Sequence, residues 1–276
     1  MESLEAELAR ARDLDVPSLA DAIESIGFEC TRCGACCKGY EPGPEAAGEG
    51  TAEGAAAERE TSEGTAAGEG TSEGAAAGDD GCHDRADREP HTATVFPDEV
   101  RTLMEADTAD GDGEPYDWRD VARPMPYGLS ETADGDAVGE TFEWALAVDD
   151  CGDCTFYTET DGQGACTVHG DRPLVCRTYP FSVALGGTSQ PMGEPVDAVG
   201  MVRAHECEGL GRAIDRAEAE ALADALKRRA VRELEEAIGV RDGYDPRAGT
   251  EHDEPVVVFD SEGPKRADGS PIEPTE

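Results

Sequence analysis

The chain has 276 residues, of which 38% are apolar and only 5% aromatic. These fractions are low for one compact domain of this length, so either part of the chain does not pack or something besides hydrophobic burial supports the core. The net charge is −40, with 23 basic and 63 acidic residues. Such a surface repels nucleic acid phosphates and anionic lipid, which argues against binding to either.

The acidic, lysine-poor composition has two interpretations. It resembles the surfaces of proteins from salt-loving cells, where molar salt screens the self-repulsion, and this interpretation predicts that stability rises with salt. The alternative is an acidic surface that contacts another macromolecule, although the sequence names no protein partner.

Whether the ten cysteines are reduced thiols or disulfides depends on the compartment in which the protein resides. The first residues, MESLEAELARARDL, lack the cationic start and apolar stretch of an export signal. No apolar run approaches the ~20 residues of a membrane span. We therefore expect a cytoplasmic protein, in which thiols stay reduced and cysteines favour metal ligation over disulfides.

The first half of the chain divides into two parts. Residues 1–40 are predicted to hold two short helices within 1–28, followed by the first cysteine group. Residues 41–90 include GEGTAEGAAAERETSEGTAAGEGTSEGAAAG, which has no aliphatic side chain beyond alanine. Such a segment cannot bury enough apolar surface to offset its ordering entropy, and it is predicted to be a disordered, acidic insertion.

Residues 91–245 are predicted to complete the domain, in chain order. Val95 and Phe96 indicate a short strand, and a helix is expected over 98–105. Acidic, glycine-rich loops are expected over 107–116 and 130–140.

Two further elements follow. Phe142, Trp144, Leu146 and Val148 alternate with polar or small residues, which predicts a strand with one buried face. Asp215, with Glu218 three residues on as a capping-box analogue, starts a helix that the spacing of apolar residues predicts over 215–238.

Gly239 is expected to end that helix. Residues 246–276 form an acidic tail in which Val256–Phe259 could dock as a strand. The predicted fold class is α+β: a small, irregular, cysteine-rich metal-binding domain with flanking helices and the long disordered insertion.

The first cysteine group has the sequence CTRCGACC and supplies Cys30, Cys33, Cys36 and Cys37. The C-x-x-C spacing places two thiolates on one tight turn, within reach of one ion. Three cysteines in series at this spacing are also common in iron–sulfur proteins, which favours iron slightly over zinc. Neighbouring side chains on an extended chain point to opposite faces, so Cys36 and Cys37 are predicted to serve different sites.

The second group supplies Cys151, Cys154, Cys166 and Cys176, and Cys207 follows in HECEGLG. CTRCGACC, then CTFY, then ACTVHGDRPLVCRTYPF and ECEGLG, together resemble the CxxCxxCC family of zinc- or iron-chelating proteins, also called YkgJ-like cysteine-cluster proteins. The acidity suggests a member of haloarchaeal type. The resemblance covers residues 28–40 and about 92–212.

The resemblance implies a bound zinc ion or iron–sulfur cluster held by about eight thiolates. By motif these are Cys30, Cys33, Cys36, Cys37, Cys154, Cys166, Cys176 and Cys207. Eight thiolates make two four-sulfur sites. Cys30, Cys33 and one of the adjacent pair hold the first with a distant fourth ligand, and the other of the pair joins the group of later cysteines. A single cluster with surplus free cysteines is the alternative.

The roles of several residues near these cysteines have more than one interpretation. Cys82 and Cys151 do not match the family pattern, and Cys82 is interpreted as a surface thiol. His169, where the family commonly has tyrosine, and His205 each lie within three residues of a cysteine and could be ligands or support ligands. Arg172 and Arg177 flank Cys176 and either lower thiol pKa values or pair with surface carboxylates.

The alternative function is an iron–sulfur oxidoreductase or a methyltransferase-associated enzyme. It arises because lysine N-methylases of flagellin carry a related cysteine domain. The sequence contains no strand–GxGxxG–helix pattern, no C-x-x-x-C-x-x-C motif and no Ser/His/Asp set. No catalytic residue can therefore be named.

Overall fold

The computed structural model describes residues 3–40, 88–106, 115–186, 193–246, 248 and 254–273. Helices and sheets both occur in these ranges, as the predicted α+β class requires. No helix in them is long and apolar enough to cross a membrane. Cys82, most of the predicted insertion and most of the predicted loop at 107–116 lie outside the described residues.

The helices and strands are mostly short. The helices are α1 Leu4–Arg12, α2 Val16–Ile26, α3 Pro97–Met104, α4 Trp118–Val121, α5 Leu174–Thr178 and α6 Arg216–Gly243. The strands are β1 Thr94–Val95, β2 Ala122–Pro124, β3 Leu129–Glu131, β4 Ala137–Thr141, β5 Trp144–Leu146, β6 Tyr157–Thr160, β7 Gln163–Cys166, β8 Phe181–Val183, β9 Glu194–Pro195, β10 Val202–Ala204, β11 Val256–Asp260 and β12 Gly263–Arg266. The helices and the strand expected at Val256–Phe259 are thus confirmed.

One half of the protein packs three helices against a small sheet. Helix α6 lies along α1 and α2 and covers the antiparallel sheet β8-β10-β9. Ile23, Phe181 and Leu226 are almost fully buried in its aliphatic core. Asp215 begins α6 by accepting a hydrogen bond from the Glu218 N–H, as the sequence predicts.

The prediction that Gly239 ends α6 is wrong, because the helix continues to Gly243. A Cβ atom on Gly239 would lie 2.6 Å from the Cβ of Ser261. The glycine therefore permits close packing of the helix against the turn between β11 and β12, and it does not act as a helix stop.

The other half is built from short strands and turns. Strands β1, β5 and β2 form one antiparallel sheet, and β12-β11-β4-β3 form a second sheet in which β11 runs parallel to β4. Trp144 donates its indole N–H to the buried carboxylate of Asp260 at 2.9 Å. Lys265, whose side chain is 7% exposed, pairs with the same carboxylate at 2.7 Å.

Two strand predictions need correction. The glycine-rich stretch 130–140 is not a loop throughout, because β3 and β4 pair across it as an antiparallel hairpin. The alternation predicted one buried face for the strand at Trp144, yet Ala145 is buried as well, since both faces of β5 are covered. Phe142 is 46% exposed and stacks on Phe259 at 5.8 Å between ring centroids.

The two ends of the predicted insertion lie side by side. The main chains of Tyr40 and Glu89 exchange two hydrogen bonds of 2.9 and 2.8 Å, and Arg88 donates to the Gly39 carbonyl oxygen. If the chain ran directly from Tyr40 to Glu89, the rest of the described fold would remain continuous. This geometry fits an insertion between residues 40 and 88.

Candidate metal centre

Eight of the described cysteines are free thiols, and they are the eight that the sequence motifs select: Cys30, Cys33, Cys36, Cys37, Cys154, Cys166, Cys176 and Cys207. Cys151 instead takes part in a disulfide bond. The expectation that cysteines stay reduced therefore fails at this residue, which lies on the turn after β5 and matches no position of the motif. A cysteine in a disulfide has no thiolate to offer a metal.

The first cysteine segment is tied at its start to the segment that carries Cys207. Phe28 forms an isolated bridge with Leu210, and Glu29 donates its N–H to the Gly209 carbonyl oxygen at 3.0 Å. Gly209 fits there because a Cβ atom would lie 2.4 Å from the Glu29 carbonyl oxygen. This close contact brings sequence positions about 180 residues apart into one neighbourhood.

The middle of the same segment packs on the hairpin β6–β7. Gly34 has a φ of +77°, and a Cβ atom there would lie 2.3 Å from the Tyr157 hydroxyl oxygen. Gly164 donates its N–H to the Arg32 carbonyl oxygen at 2.9 Å. Tyr157 faces Cys166 across the two strands, so the hairpin holds that thiol beside the cysteine segment.

The end of the segment contacts Cys154. The Cys154 N–H donates to the Cys37 carbonyl oxygen at 2.7 Å, and the Cys37 N–H closes a turn onto the Gly34 carbonyl oxygen. The sulfurs of Cys36 and Cys37 lie 3.8 Å apart on a turn, so the expectation that these two side chains point to opposite faces is wrong. Cys37 packs against the same buried cluster as Cys154, Cys166 and Cys176.

Helix α5 carries Cys176, and a residue missed by the sequence analysis holds the start of that helix. Glu99 accepts the Leu174 N–H at 2.8 Å with one carboxylate oxygen and the Phe96 N–H at 3.1 Å with the other. One side chain thus caps α3 and anchors the first residue of α5. The capping of α3 could be expected from the sequence, because Glu99 occupies the third position of that helix. Nothing in the sequence indicates that Glu99 also anchors the start of α5.

Cys207 lies in a different environment from the other later cysteines. Its sulfur accepts the Gly209 N–H at 3.4 Å. Burial raises its pKa, and the nearby thiols Cys33, Cys36 and Cys30 raise it further. The sequence groups Cys207 with Cys154, whereas the structure brings it closer to the first segment.

The electrostatics of the other thiols follow from burial and from one another. Burial, together with the neighbouring thiols Cys166 and Cys36, raises the pKa of Cys154 to about 11. Burial also raises the pKa of Cys176, with added contributions from the same neighbouring thiols. Thiolates that lie this close together repel each other, and a cation placed among them would stabilise their ionised form.

Arg172 supplies one positive charge near these thiols. It lowers the pKa of Cys36, Cys166 and Cys176 against the raising effects of burial and of neighbouring thiols. Arg172 donates to the His169 carbonyl oxygen at 3.2 Å, and its charge lowers the pKa of the exposed His169. Of the two interpretations of Arg172, proximity to thiols is the one that the structure supports.

A residue beside Cys207 was not singled out as a site residue. The Tyr179 hydroxyl donates to the Glu206 carbonyl oxygen at 3.1 Å, and its ring contacts that of His205 at 6.0 Å. Burial raises the pKa of Tyr179, and Cys207, Cys36 and Cys33 add to the shift. The aromatic residue thus shields one side of the thiol group.

The donor set has the chemistry of a zinc or iron site, since soft thiolates bind both metals in tetrahedral sites. As the side chains stand, no three His, Cys, Asp or Glu residues in the described ranges converge as a finished metal site. Ligation therefore requires sulfurs already brought into neighbouring loops to approach further, by side-chain rotation or small loop shifts.

Comparison with known families agrees with this chemistry. Residues 119–208 match the CxxCxxCC family model, described as a "Putative zinc- or iron-chelating domain". The match contains Cys154, Cys166, Cys176 and Cys207 and supports a metal-binding role for this region; it does not reach residues 30–37. No curated protein and no solved structure shows a detectable similarity to the chain.

Proposed function

We propose that this protein binds zinc or iron through its eight free thiols. The supporting observation is the close contact between the segment 30–37 and the region that matches a metal-chelating family, above all the 2.7 Å hydrogen bond from Cys154 to Cys37. Without a metal, eight neighbouring thiols in an acidic protein would have little to offset their ionised form except Arg172.

The proposal divides the thiols into two four-sulfur groups. Cys30, Cys33, Cys36 and Cys207 form the first group. Cys37, Cys154, Cys166 and Cys176 form the second group.

The assignment rests on the neighbours of each sulfur. The pKa of Cys207 responds to Cys30, Cys33 and Cys36, whereas Cys37 packs with the members of the second group. Cys36 also acts on Cys154 and Cys176, so it lies between the groups.

Bound metal would supply a cross-link that joins loops far apart in the sequence, and an iron–sulfur cluster would add the capacity to carry an electron. The residues of the chain provide the rest: Tyr157 and Tyr179 pack beside the thiols, and Glu99 holds the helix of Cys176 in place.

Metal analysis of the full chain, purified without oxygen, tests the two-group assignment. Cys207→Ser and Cys176→Ser should each lose about half of the bound metal, and the double variant should lose nearly all of it. Cys151→Ser serves as the matched control, because that cysteine is no member of either group and should keep the full content. One metal site in the wild type, or complete loss in both single variants, would contradict the division.

An absorption spectrum of the same preparation distinguishes the metals. Broad visible absorbance with a brown colour indicates an iron–sulfur cluster, and a colourless protein with stoichiometric zinc indicates tetrahedral zinc sites. A protein that retains neither metal when purified from cells supplied with both would contradict the proposed function.

A further inference from the structure

The two proposed groups of thiols differ in how far solvent reaches them. In the first group, Cys30 and Cys36 are exposed, and Cys33 and Cys207 are half-buried. In the second group, Cys154 is buried, with 7% of its surface exposed, and the other members are half-buried. An ion held by the first group would therefore have ligands that dissolved molecules can reach.

The second group lies against an apolar core. Cys154 belongs to the buried cluster that contains Phe156, and three further thiols pack against that cluster: Cys37, Cys166 and Cys176. In the part of the chain that the structure describes, no thiol of the first group belongs to an apolar cluster. Apolar surroundings limit the access of water and of competing ligands to a metal site.

The first group also lies on irregular chain. Cys30 and Cys33 lie outside helices and strands, Cys36 lies on a turn, and Cys207 directly precedes one. Loops open locally at a lower free energy than core helices and strands do. Local opening would therefore free these thiols without unfolding the rest of the protein.

The thiols of the second group are held by regular structure. Cys166 ends strand β7, and Cys176 lies in α5, which packs along α6. The Cys154 N–H donates to the Cys37 carbonyl oxygen at 2.7 Å. An ion bound among these four thiols could leave only after several such contacts break.

We infer that the first group is an exchange site for a thiophilic divalent cation, whereas the second group is a structural site that keeps its ion. This inference rests on the proposed function, since both groups must bind metal. Closed tetrahedral sites are typical of structural metal ions, and accessible ligands are typical of sites at which ligands are exchanged.

Exchange at the first group is a substitution of ligands. A thiolate or chelating group of another molecule forms one bond to the ion while an exposed cysteine, Cys30 or Cys36, releases it. The ion keeps its oxidation state, and the released thiolate takes a proton from water. Repetition of this step moves the ion from the protein to the acceptor.

Release of zinc from the zinc-loaded full chain to the chelator 4-(2-pyridylazo)resorcinol tests the inference. We expect two phases of equal amplitude, of which the first is at least about tenfold faster. A single phase in which two ions leave together would overturn the inference and leave metal binding intact. A chain that binds no zinc or other thiophilic metal would contradict the proposed function itself.

Pulsed alkylation of the wild type during release assigns the two phases. Iodoacetamide should label the cysteines of the first group during the fast phase and those of the second group during the slow phase, as read by peptide mass spectrometry. Labelling of the metal-free protein gives the rate at which each free thiol reacts, so only protection beyond that rate reports bound metal. Simultaneous or reversed labelling would refute the assignment.

Variants provide an independent check. Cys176→Ser should remove the slow phase and keep the fast one, and Cys207→Ser should do the reverse. Cys151→Ser is the matched control, because this residue belongs to neither group and both phases should remain. Circular dichroism shows whether each variant is folded, and the alkylation of the wild type decides where a variant is not. A folded Cys176→Ser variant that releases its ion only slowly would overturn the inference.

Discussion

The helical half of this protein and its cysteine-bearing half are stabilised in different ways. In the first, α1, α2 and α6 bury aliphatic side chains such as Ile23 and Leu226 in one continuous core. In the second, no described strand exceeds five residues, and the thiols lie on turns, a hairpin and a helix of five residues. Burial of apolar area supports both halves, since Leu103, Trp144 and Phe156 are buried in a second apolar cluster. The second half depends in addition on hydrogen bonds between loops and on a buried ion pair.

This difference indicates where a metal would matter. A long amphipathic helix gains its stability from packing and needs no ligand. Short strands and turns bury little area for each ordered residue, so cross-links between them add the most. The proposed ligands lie in the half that has the fewest long elements.

Metal removal should have the largest effect and should act on one half. Structural zinc contributes on the order of 10 kcal/mol to the folding of small zinc domains. After chelation we expect amide hydrogen exchange to accelerate at least about tenfold in residues 28–40, 154–178 and 205–210, while α6 stays protected. Exchange measured by mass spectrometry with and without chelator checks this, and uniform acceleration along the chain would mean that the two halves do not differ.

A charge placed in the helical core should be the next most damaging change. Leu226→Asp, at a residue 1% exposed, should lower the free energy of unfolding by about 4 kcal/mol, because it buries an unpaired carboxylate. Ala221→Asp on the exposed face of the same helix should change it by less than about 0.5 kcal/mol. Urea unfolding of both variants measures the difference; equal stabilities would show that α6 is not part of the core.

The buried ion pair offers the corresponding test in the cysteine-bearing half. Lys265→Met should cost about 3 kcal/mol, because Asp260, 1% exposed, would keep its charge without its 2.7 Å partner. Arg119→Met is the matched control, since it breaks an exposed pair of 3.7 Å with Asp268 and should cost less than about 0.5 kcal/mol. Thermal melting separates the two, and similar melting temperatures would mean that the buried pair contributes little.

A single methyl group added at Gly34 should disturb the contact between the cysteine segment and the β6–β7 hairpin. Gly34→Ala should destabilise the protein by about 2 kcal/mol and reduce its metal content, because its backbone is left-handed and the Cβ atom would meet Tyr157. Gly162→Ala has a similar φ of +75° with nothing within 4 Å of its Cβ, so it should cost about 1 kcal/mol and retain the metal. If both variants behave alike, backbone strain alone matters and the close contact does not.

Deletion of residues 45–78 should have the smallest effect, with no change in metal content or melting temperature. The segment contains nothing that can pack in a core, and its flanking residues Tyr40 and Glu89 are already hydrogen-bonded to each other. Metal analysis and calorimetry of the shortened chain check this. Loss of metal would show that the segment contributes to the site.

The sequence by itself determined the elements whose signals are local. Asp215 and Glu218 mark the start of α6 within four residues, and apolar spacing marks its buried face. The run Val256–Phe259 indicated a strand, and it forms the buried strand β11. The motif also singled out the eight cysteines that are free thiols in the structure.

Only the tertiary structure decided which distant segments meet. It paired Cys207 with the first cysteine segment, gave Glu99 a second role at the start of α5, and placed Gly239 against Ser261 instead of at a helix end. Helix caps and apolar periodicity depend on neighbours within a few residues, so they can be seen in the sequence. The grouping of thiols depends on contacts across more than a hundred residues, and no local pattern encodes which of these contacts form.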